Sequence, residues 1–169
     1  MDFYDVISAR RSVRQFTAEP VSAEARARIA QCVAAAPSAC NRQPYRFLWI
    51  ENPELIRQLH SVTVQPSILD APVVVAGLVN RDAAWRLNEN DARSIGEIDL
   101  AIAAEHFALA VTAEKLGSCW VAAFDTVRAA EILQVQAPWY VDVLFPVGHP
   151  AGDLRPFARV SADEMMKVL

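Results

Sequence analysis

Apolar and polar positions along this chain change rhythm repeatedly, and the changes mark out its elements. Asp2 to Arg10 has helical spacing, with Phe3, Val6 and Ile7 on one face. Ser22 is placed to cap a second helix running to about Ala36, where Pro37 ends it. Arg46 to Glu51 (RFLWIE) alternates loosely and reads as a strand, and Pro53 opens a short helix through His60. Val73 to Val79 (VVVAGLV) is a run of the buried-strand type. From Glu97 to Leu116, about 20 residues pass without Gly or Pro, enough for a helix of roughly 30 Å. Gly117 is placed to terminate it, and Ser118 to Phe124 reads as a short strand or extended turn. Asp125 then caps a helix through Val135, Trp139 to Val147 gives another strand, and Ala162 to Leu169 a final helical turn or two.

The long helix is the most telling element. Its length would span a membrane, but Asp99, Glu105, His106, Glu114 and Lys115 make insertion costly. Its apolar residues cover more than one narrow stripe, which predicts burial on several sides. A small domain surrounds such a helix more easily with help from a second subunit, so an obligate dimer is expected. Strands and helices are interspersed, yet several connections are too short for right-handed βαβ crossovers. The predicted class is α+β.

Composition narrows the chemistry. The 169 residues fit one domain, 1–169, and 53% hydrophobic content with five glycines indicates a sizeable core. A net charge of −4 argues against nucleic acid as a partner, so arginines clustered near the N-terminus are aimed at a small anion. Cys32, Cys40 and Cys119 are odd in number and form no CxxC, which favours free thiols in a reducing cytosol. Cys40 reads by default as a small buried thiol. MDFYDVISARR is acidic early and has no long apolar run, unlike a signal peptide, and a cytoplasmic protein is expected. GxGxxG and GxxxxGK[ST] are both absent. His60, His106 and His149 stand far apart, which predicts no metal site, and His106 reads as a packing residue. No local signature of a Ser or Cys nucleophile is present.

Two segments carry the candidate chemistry. Arg10, Arg11, Ser12, Val13 and Arg14 gather three guanidinium groups and a hydroxyl within five residues, donors suited to a phosphate ester. Pro37, Ser38, Ala39, Cys40, Asn41, Arg42, Gln43 and Pro44 form a loop of amides and hydroxyls. Together they read as grips on a phosphorylated, hydrogen-bonding cofactor.

Four segments in register resemble the flavin-dependent nitroreductase family across nearly the whole chain. RRSVRQF at Arg10 to Phe16 is similar to its N-terminal phosphate segment. PSACNRQPYRF at Pro37 to Phe47 is similar to its PSxxNxQPW/HxF loop, with Tyr45 where Trp or His is commoner. The stretch from Asp99 to GSCWVAAF resembles the central helix and the GLGxCW turn, with Lys115 where Gly is usual. Val147, Gly148, His149 and Pro150, then Arg155, Pro156 and Arg159, resemble the terminal GYP and KPR-type segment.

The resemblance implies a mixed or antiparallel central sheet flanked by helices, a buried central helix, and a homodimer with two FMN sites at the subunit interface. Arg10, Ser12 and Arg14 would hold phosphate and ribityl groups, Arg11 would contribute its backbone, and Arg159 or Arg155 would close on the phosphate. Pro37, Ser38, Ala39, Asn41 and Gln43 would arrive from the other subunit. Gln65 would meet the pyrimidine edge, with Ser67 in place of the lysine of some relatives. Trp120 to Ala123 would run beside the ring, with the Ala123 N–H aimed at flavin N5, Ala122 adjacent, and no catalytic side chain. A carboxylate that some members place at Ala122 is missing, and Trp120 reads equally well as core.

The implied activity is an FMN-dependent oxidoreductase that takes hydride from NADH or NADPH in a ping-pong cycle and reduces small nitroaromatic, quinone or enone acceptors. Two alternatives stand beside it: a flavin-binding or flavin-consuming protein without NAD(P)H turnover, and a cofactor-free interaction protein. The short polar stretch from Asn80 to Glu97 offers only Trp85 and Leu87 as large apolar residues for a lid, which predicts an open, permissive pocket.

Overall fold

Side-chain oxygens placed just ahead of apolar runs start the helices. Asp2, Ser22, Asn52, Asp125 and Ser161 each accept a backbone N–H in the first turn of the helix that follows. The computed structural model of the chain describes residues 1–88, 95–152, 154 and 157–168. In chain order the elements are α1 (Phe3–Ala9), α2 (Ala23–Ala34), β1 (Tyr45–Ile50), α3 (Pro53–His60), α4 (Ser67–Asp70), β2 (Val73–Asn80), α5 (Ile95–Ala113), β3 (Gly117–Ser118), α6 (Thr126–Ile132), β4 (Trp139–Gly148) and α7 (Ala162–Met165). The strands form one sheet in the order β1-β2-β4-β3, and each pairing is antiparallel. The parallel component is confined to an isolated bridge between Ser12 and Ser118. The class is α+β, as expected.

The unbroken apolar run of β2 follows from burial on both faces. Val73, Val75 and Val79 pack with α2 and α5, whereas Val74, Ala76 and Leu78 pack with α3, α4 and α6. On β4, Val143, Phe145 and Val147 join the first layer and Leu144 the second. Leu78 pairs with Val141 and Gly77 with Val143, so Asp142 is the extra residue of a β-bulge, and Val141 is carried to the second layer. Burial, reinforced by nearby Glu97 and opposed by Arg81, pushes the Asp142 carboxyl above its usual range.

Helix α5 is apolar nearly all round. The Phe107 ring stacks on Phe47 of β1 at 5.8 Å and meets Phe145 of β4 at 5.0 Å. On the α2 side, His106 Nδ1 lies 3.1 Å from the Cys32 carbonyl, and Arg28 donates to Glu114 at 2.6 and 2.7 Å. Its Ile98 and Ile102 remain 53% and 37% exposed, and Phe3, Tyr4 and Ile7 of neighbouring α1 are exposed too.

Several expectations are corrected. Val6 alone of the predicted α1 face is buried. The regular strand after α5 is two residues long, and Val121 and Phe124 continue it only as isolated bridges. Helix α7 stops at Met165, α4 carried no signal beyond Pro66, and Cys40 is exposed. Gly117 does not take the left-handed turn that ends α5; Lys115 does, at φ 60°, with Leu116 N–H bonded to the Val111 carbonyl at 3.0 Å. Lys115→Gly is expected to stabilise the protein by about 0.5–1 kcal/mol by removing the Cβ penalty at that position, raising Tm by a few degrees in a thermal melt.

Candidate functional site

The arginine-rich segment is laid against the sheet's short edge strand. Val13 N–H donates to the Ser118 carbonyl at 2.9 Å, Ala151 N–H to Gln15 at 2.9 Å, and Thr17 N–H to His149 at 2.9 Å. The Val13 side chain is buried and lies where a Cβ on Gly117 would stand, 2.6–2.8 Å from its atoms. A glycine is therefore required at 117 for close approach, not for a turn.

With Val13 inward, its neighbours reach solvent-facing clefts. Ser12 and Arg14 line a cleft of about 210 Å³ with Gln15, Pro66, Asp70 and Ala151. Arg10 and Arg159 line a second, of about 480 Å³, with Ile7, Glu105 and Phe157. The Arg11 and Arg159 guanidinium carbons sit 4.0 and 4.6 Å from the centroid of the Phe157 ring. Arg11 also donates to the Ser8 carbonyl and, at 3.0 Å, to that of Arg10, which spends it on the end of α1. Burial raises the Cys119 thiol pKa, while the Arg14 charge, a Ser12 hydrogen bond and the Arg10 charge pull it back down.

Arg26, Arg28, Arg57, Arg81 and Arg128 each pair with a carboxylate. Among the described residues, Arg10, Arg11, Arg14, Arg42, Arg46, Arg86 and Arg159 have no carboxylate within ion-pair distance, and of these Arg42, Arg46 and Arg86 donate to backbone carbonyls away from the two clefts. Arg155 lies outside the described residues, as does part of the Asn80 to Glu97 stretch on which the open-pocket expectation rests.

The polar loop is held in a strained shape. Cys40, Asn41 and Gln43 all have positive φ, at 49°, 53° and 49°. Ser38 Oγ accepts the Gln43 N–H at 2.8 Å, and Gln43 Nε2 donates to Asn41 Oδ1 at 2.8 Å. Asp99 of α5, 2% exposed, anchors the loop by accepting the Ala39 N–H on Oδ1 at 2.9 Å. Its Oδ2 is buried without a hydrogen-bond partner. Burial, reinforced by Asp99, pushes up the Tyr45 phenol pKa, and the Tyr45 hydroxyl donates to the Ala36 carbonyl at 3.0 Å. Pro37, Ser38, Ala39, Asn41 and Gln43 thus form one unit, which lines neither arginine cleft.

After β3 the chain passes Trp120, 44% exposed, whose ring meets Phe145 edge-on at 5.2 Å. Ala122 and Ala123 are exposed, and Thr63 Oγ1 donates to the Ala123 carbonyl at 2.8 Å. Thr63 also accepts the Gln65 N–H at 3.3 Å, so the structure brings Gln65 and Ala123 together. Sequence reasoning missed Asp99 and Thr63 as positioning residues. Asp99 carried a usable signal, a lone carboxyl on an otherwise apolar face; Thr63 carried none.

A four-stranded antiparallel sheet packed on a long, mostly buried helix, with an arginine-rich segment along its edge strand, is the nitroreductase-type α+β fold. The chain belongs to the nitroreductase family, whose model matches residues 7–65 and 60–149. An NADPH-dependent oxidoreductase of Staphylococcus haemolyticus is 28% identical over 89% of this chain. The chain spans 65% of that relative's length. Protein DrgA of Synechocystis sp. is 26% identical over 90% of this chain and 86% of its own. Among solved structures, a nitroreductase family protein from Clostridium novyi NT superposes with a TM-score of 0.83 at 28% identity, covering 89% of this chain and 86% of its own. One from Clostridium difficile 630 does so at 0.89 over the full length of both chains, and at 24% identity it supports the fold alone. Among the described residues no helix is long and apolar enough to cross a membrane, and no group of His, Cys, Asp and Glu is arranged to hold a metal ion.

Two substitutions test this geometry. Gly117→Ala is expected to cost about 1–3 kcal/mol in a urea melt, with part of the loss recovered in the Val13→Ala background, which clears the clash. Asp99→Leu is expected to destabilise the protein by about 1–3 kcal/mol in a urea melt, because the Ala39 N–H is left without its acceptor. It removes the acceptor of Ala39, so hydrogen exchange at that amide should accelerate about tenfold, and Asp99→Asn, which keeps an acceptor, should not show this.

Proposed function

We propose that the protein is an FMN-dependent oxidoreductase that draws on NADH or NADPH. The observation that carries this reading is the placing of guanidinium groups without carboxylate partners in two clefts along one segment, Arg14 with the Ser12 hydroxyl in the first and Arg10 with Arg159 in the second. An FMN phosphate carries close to two negative charges and suits such a donor set. The other contacts fit a flavin as well. Ala122 and Ala123 are small, exposed and free of side-chain bulk, and Trp120 presents a half-open aromatic surface. Gln65 adds an amide for the polar edge of the ring.

In this reading Arg10, Ser12, Arg14 and Arg159 bind the phosphate and ribityl groups, with Arg155 a second candidate at the phosphate. The Arg11 side chain is occupied at the end of α1, leaving its backbone for the ligand. The Ala123 N–H offers a donor without a titratable side chain, so it stabilises negative charge on the ring at any pH at which the fold persists. The strained loop Pro37, Ser38, Ala39, Asn41 and Gln43, remote from the arginine clefts, closes the site of a second copy. That copy would also cover Ile98 and Ile102 of α5 and Phe3, Tyr4 and Ile7 of α1. FMN so bound would supply two-electron chemistry, taking hydride from the nicotinamide and, once that has left, passing it to a nitroaromatic, quinone or enone acceptor. The pair of NADPH-dependent and nitroreductase-family relatives supports this activity class, and the described chain is consistent with a cytoplasmic homodimer.

The purified protein is expected to show flavin bands near the visible blue, retained or restored with added FMN, that bleach when NADH or NADPH is added anaerobically. Arg14→Ala and Arg159→Ala should each weaken FMN binding by about tenfold or more in a fluorescence titration. Bands that persist with both nicotinamides would replace the oxidoreductase reading with a flavin-binding or flavin-consuming one. Failure to bind FMN at all would leave a cofactor-free interaction protein.

A further inference from the structure

We propose that Thr63 is the positioning residue that fixes the geometry between Gln65 and the Ala122–Ala123 turn, an inference that rests on the flavin reading above. A hydroxyl has one donor and two acceptor sites, so its bonds to the Ala123 carbonyl at 2.8 Å and from the Gln65 N–H at 3.3 Å coexist. One oxygen atom therefore joins the segment assigned to the ring's pyrimidine edge to the segment assigned to its N5 side.

The surrounding backbone makes that oxygen a fixed point. Thr63 ends the turn that follows α3, where its N–H donates to the His60 carbonyl at 3.3 Å and Val62 N–H to Leu59 at 3.3 Å. Leu59 is fully buried, so the turn is rooted in the core. Thr63 also faces Phe124 across an antiparallel bridge, and Asp125 N–H donates to the Val62 carbonyl at 2.9 Å. On the far side of the turn, Phe124 N–H donates to the Ala122 carbonyl at 3.2 Å. The Ala122 carbonyl held by Phe124 belongs to the peptide that carries the Ala123 N–H, and the Ala123 carbonyl held by Thr63 to the next peptide, so the two bonds restrict rotation on either side of the Ala123 Cα. The direction of the Ala123 N–H is the result. A donor of this kind contributes only when it is aimed in advance, and a misplacement of about 1 Å can cost about a hundredfold in rate.

Thr63→Val keeps the shape and removes the hydroxyl, whereas Thr63→Ser keeps the hydroxyl. In the apo protein, hydrogen exchange at the Gln65 amide should be about tenfold faster in Thr63→Val and near wild type in Thr63→Ser. In the FMN-loaded protein, anaerobic bleaching by NADH or NADPH should slow about tenfold in Thr63→Val while FMN affinity stays within about threefold, and Thr63→Ser should restore the rate. A merely structural role would lower Tm and FMN affinity along with the rate, and that pattern overturns the proposal. So does a Thr63→Val protein that exchanges and bleaches like wild type, or a Thr63→Ser protein as impaired as Thr63→Val. If Thr63→Val does not fold, Thr63→Ala carries the same comparison. Wild-type protein that binds no FMN overturns the flavin reading and this inference together; wild-type protein that bleaches beside an unaffected variant overturns the inference alone.

Discussion

A helix with no polar face must be covered on every side, and that constraint on α5 organises the molecule. The sheet covers one side through Phe47, Phe107 and Phe145, α2 covers another through His106 and the Arg28–Glu114 pair, and Ile98 and Ile102 are left open. Hydrophobic burial sets the position of α5 without giving it direction. The directional element is Asp99, which converts the helix into a fixed mount for the Ala39 peptide and hence for the strained loop. Glu114, held below the usual carboxylate range by hydrogen bonds from Arg28, performs a milder version of the same task at the helix's other end.

Stability and binding pull against each other at the arginine segment. Arg10, Arg14 and Arg159 bring like charges near one another without carboxylate partners, offset in the apo fold only by local contacts such as Arg159 over the Phe157 ring and Arg14 on the Ser12 carbonyl. Arg10 and Arg14 are held near each other because the backbone of their segment is fixed by Val13, buried where only a glycine at 117 allows it, and by bonds with Ser118, His149 and Ala151. The apolar contact holds these charges in place, and in the proposed function an anion would relieve them.

Long-period patterns were legible in the sequence, whereas short polar features were not. Val73–Val79, Trp139–Val147 and the long helix were all visible because burial on one or both faces imposes a pattern over many residues. Ser22 and Asp125 were visible as caps because a side-chain oxygen before an apolar run has few other uses. The C-terminus of α5 was misplaced because Lys115 adopts a conformation that glycine prefers, and the glycine nearby is needed for packing instead. Helix α4 is only four residues long and so too short to show a period. Most candidate site residues came from the resemblance. The separation of Ser12 and Arg14 from Arg10 and Arg159 into two clefts depends on how the strand lies on the sheet, which no spacing along the chain encodes. Thr63 escaped notice because its two partners are a neighbouring N–H and a carbonyl sixty residues away.

The bulge at Asp142 acts beyond its own neighbourhood. Because β2 is apolar on both faces, its side chains alone discriminate weakly between one alignment with β4 and another slipped by a residue. In the observed alignment Asp142 stands outside the ladder near Arg81 and Glu97, while Val141 and Val143 face opposite layers. A slip would drive that carboxyl into a layer built of valine, leucine and phenylalanine. One charged residue in a ten-residue strand thus favours the observed register, alongside the close approach of Val143 to Gly77, where a Cβ would meet it at 2.6 Å.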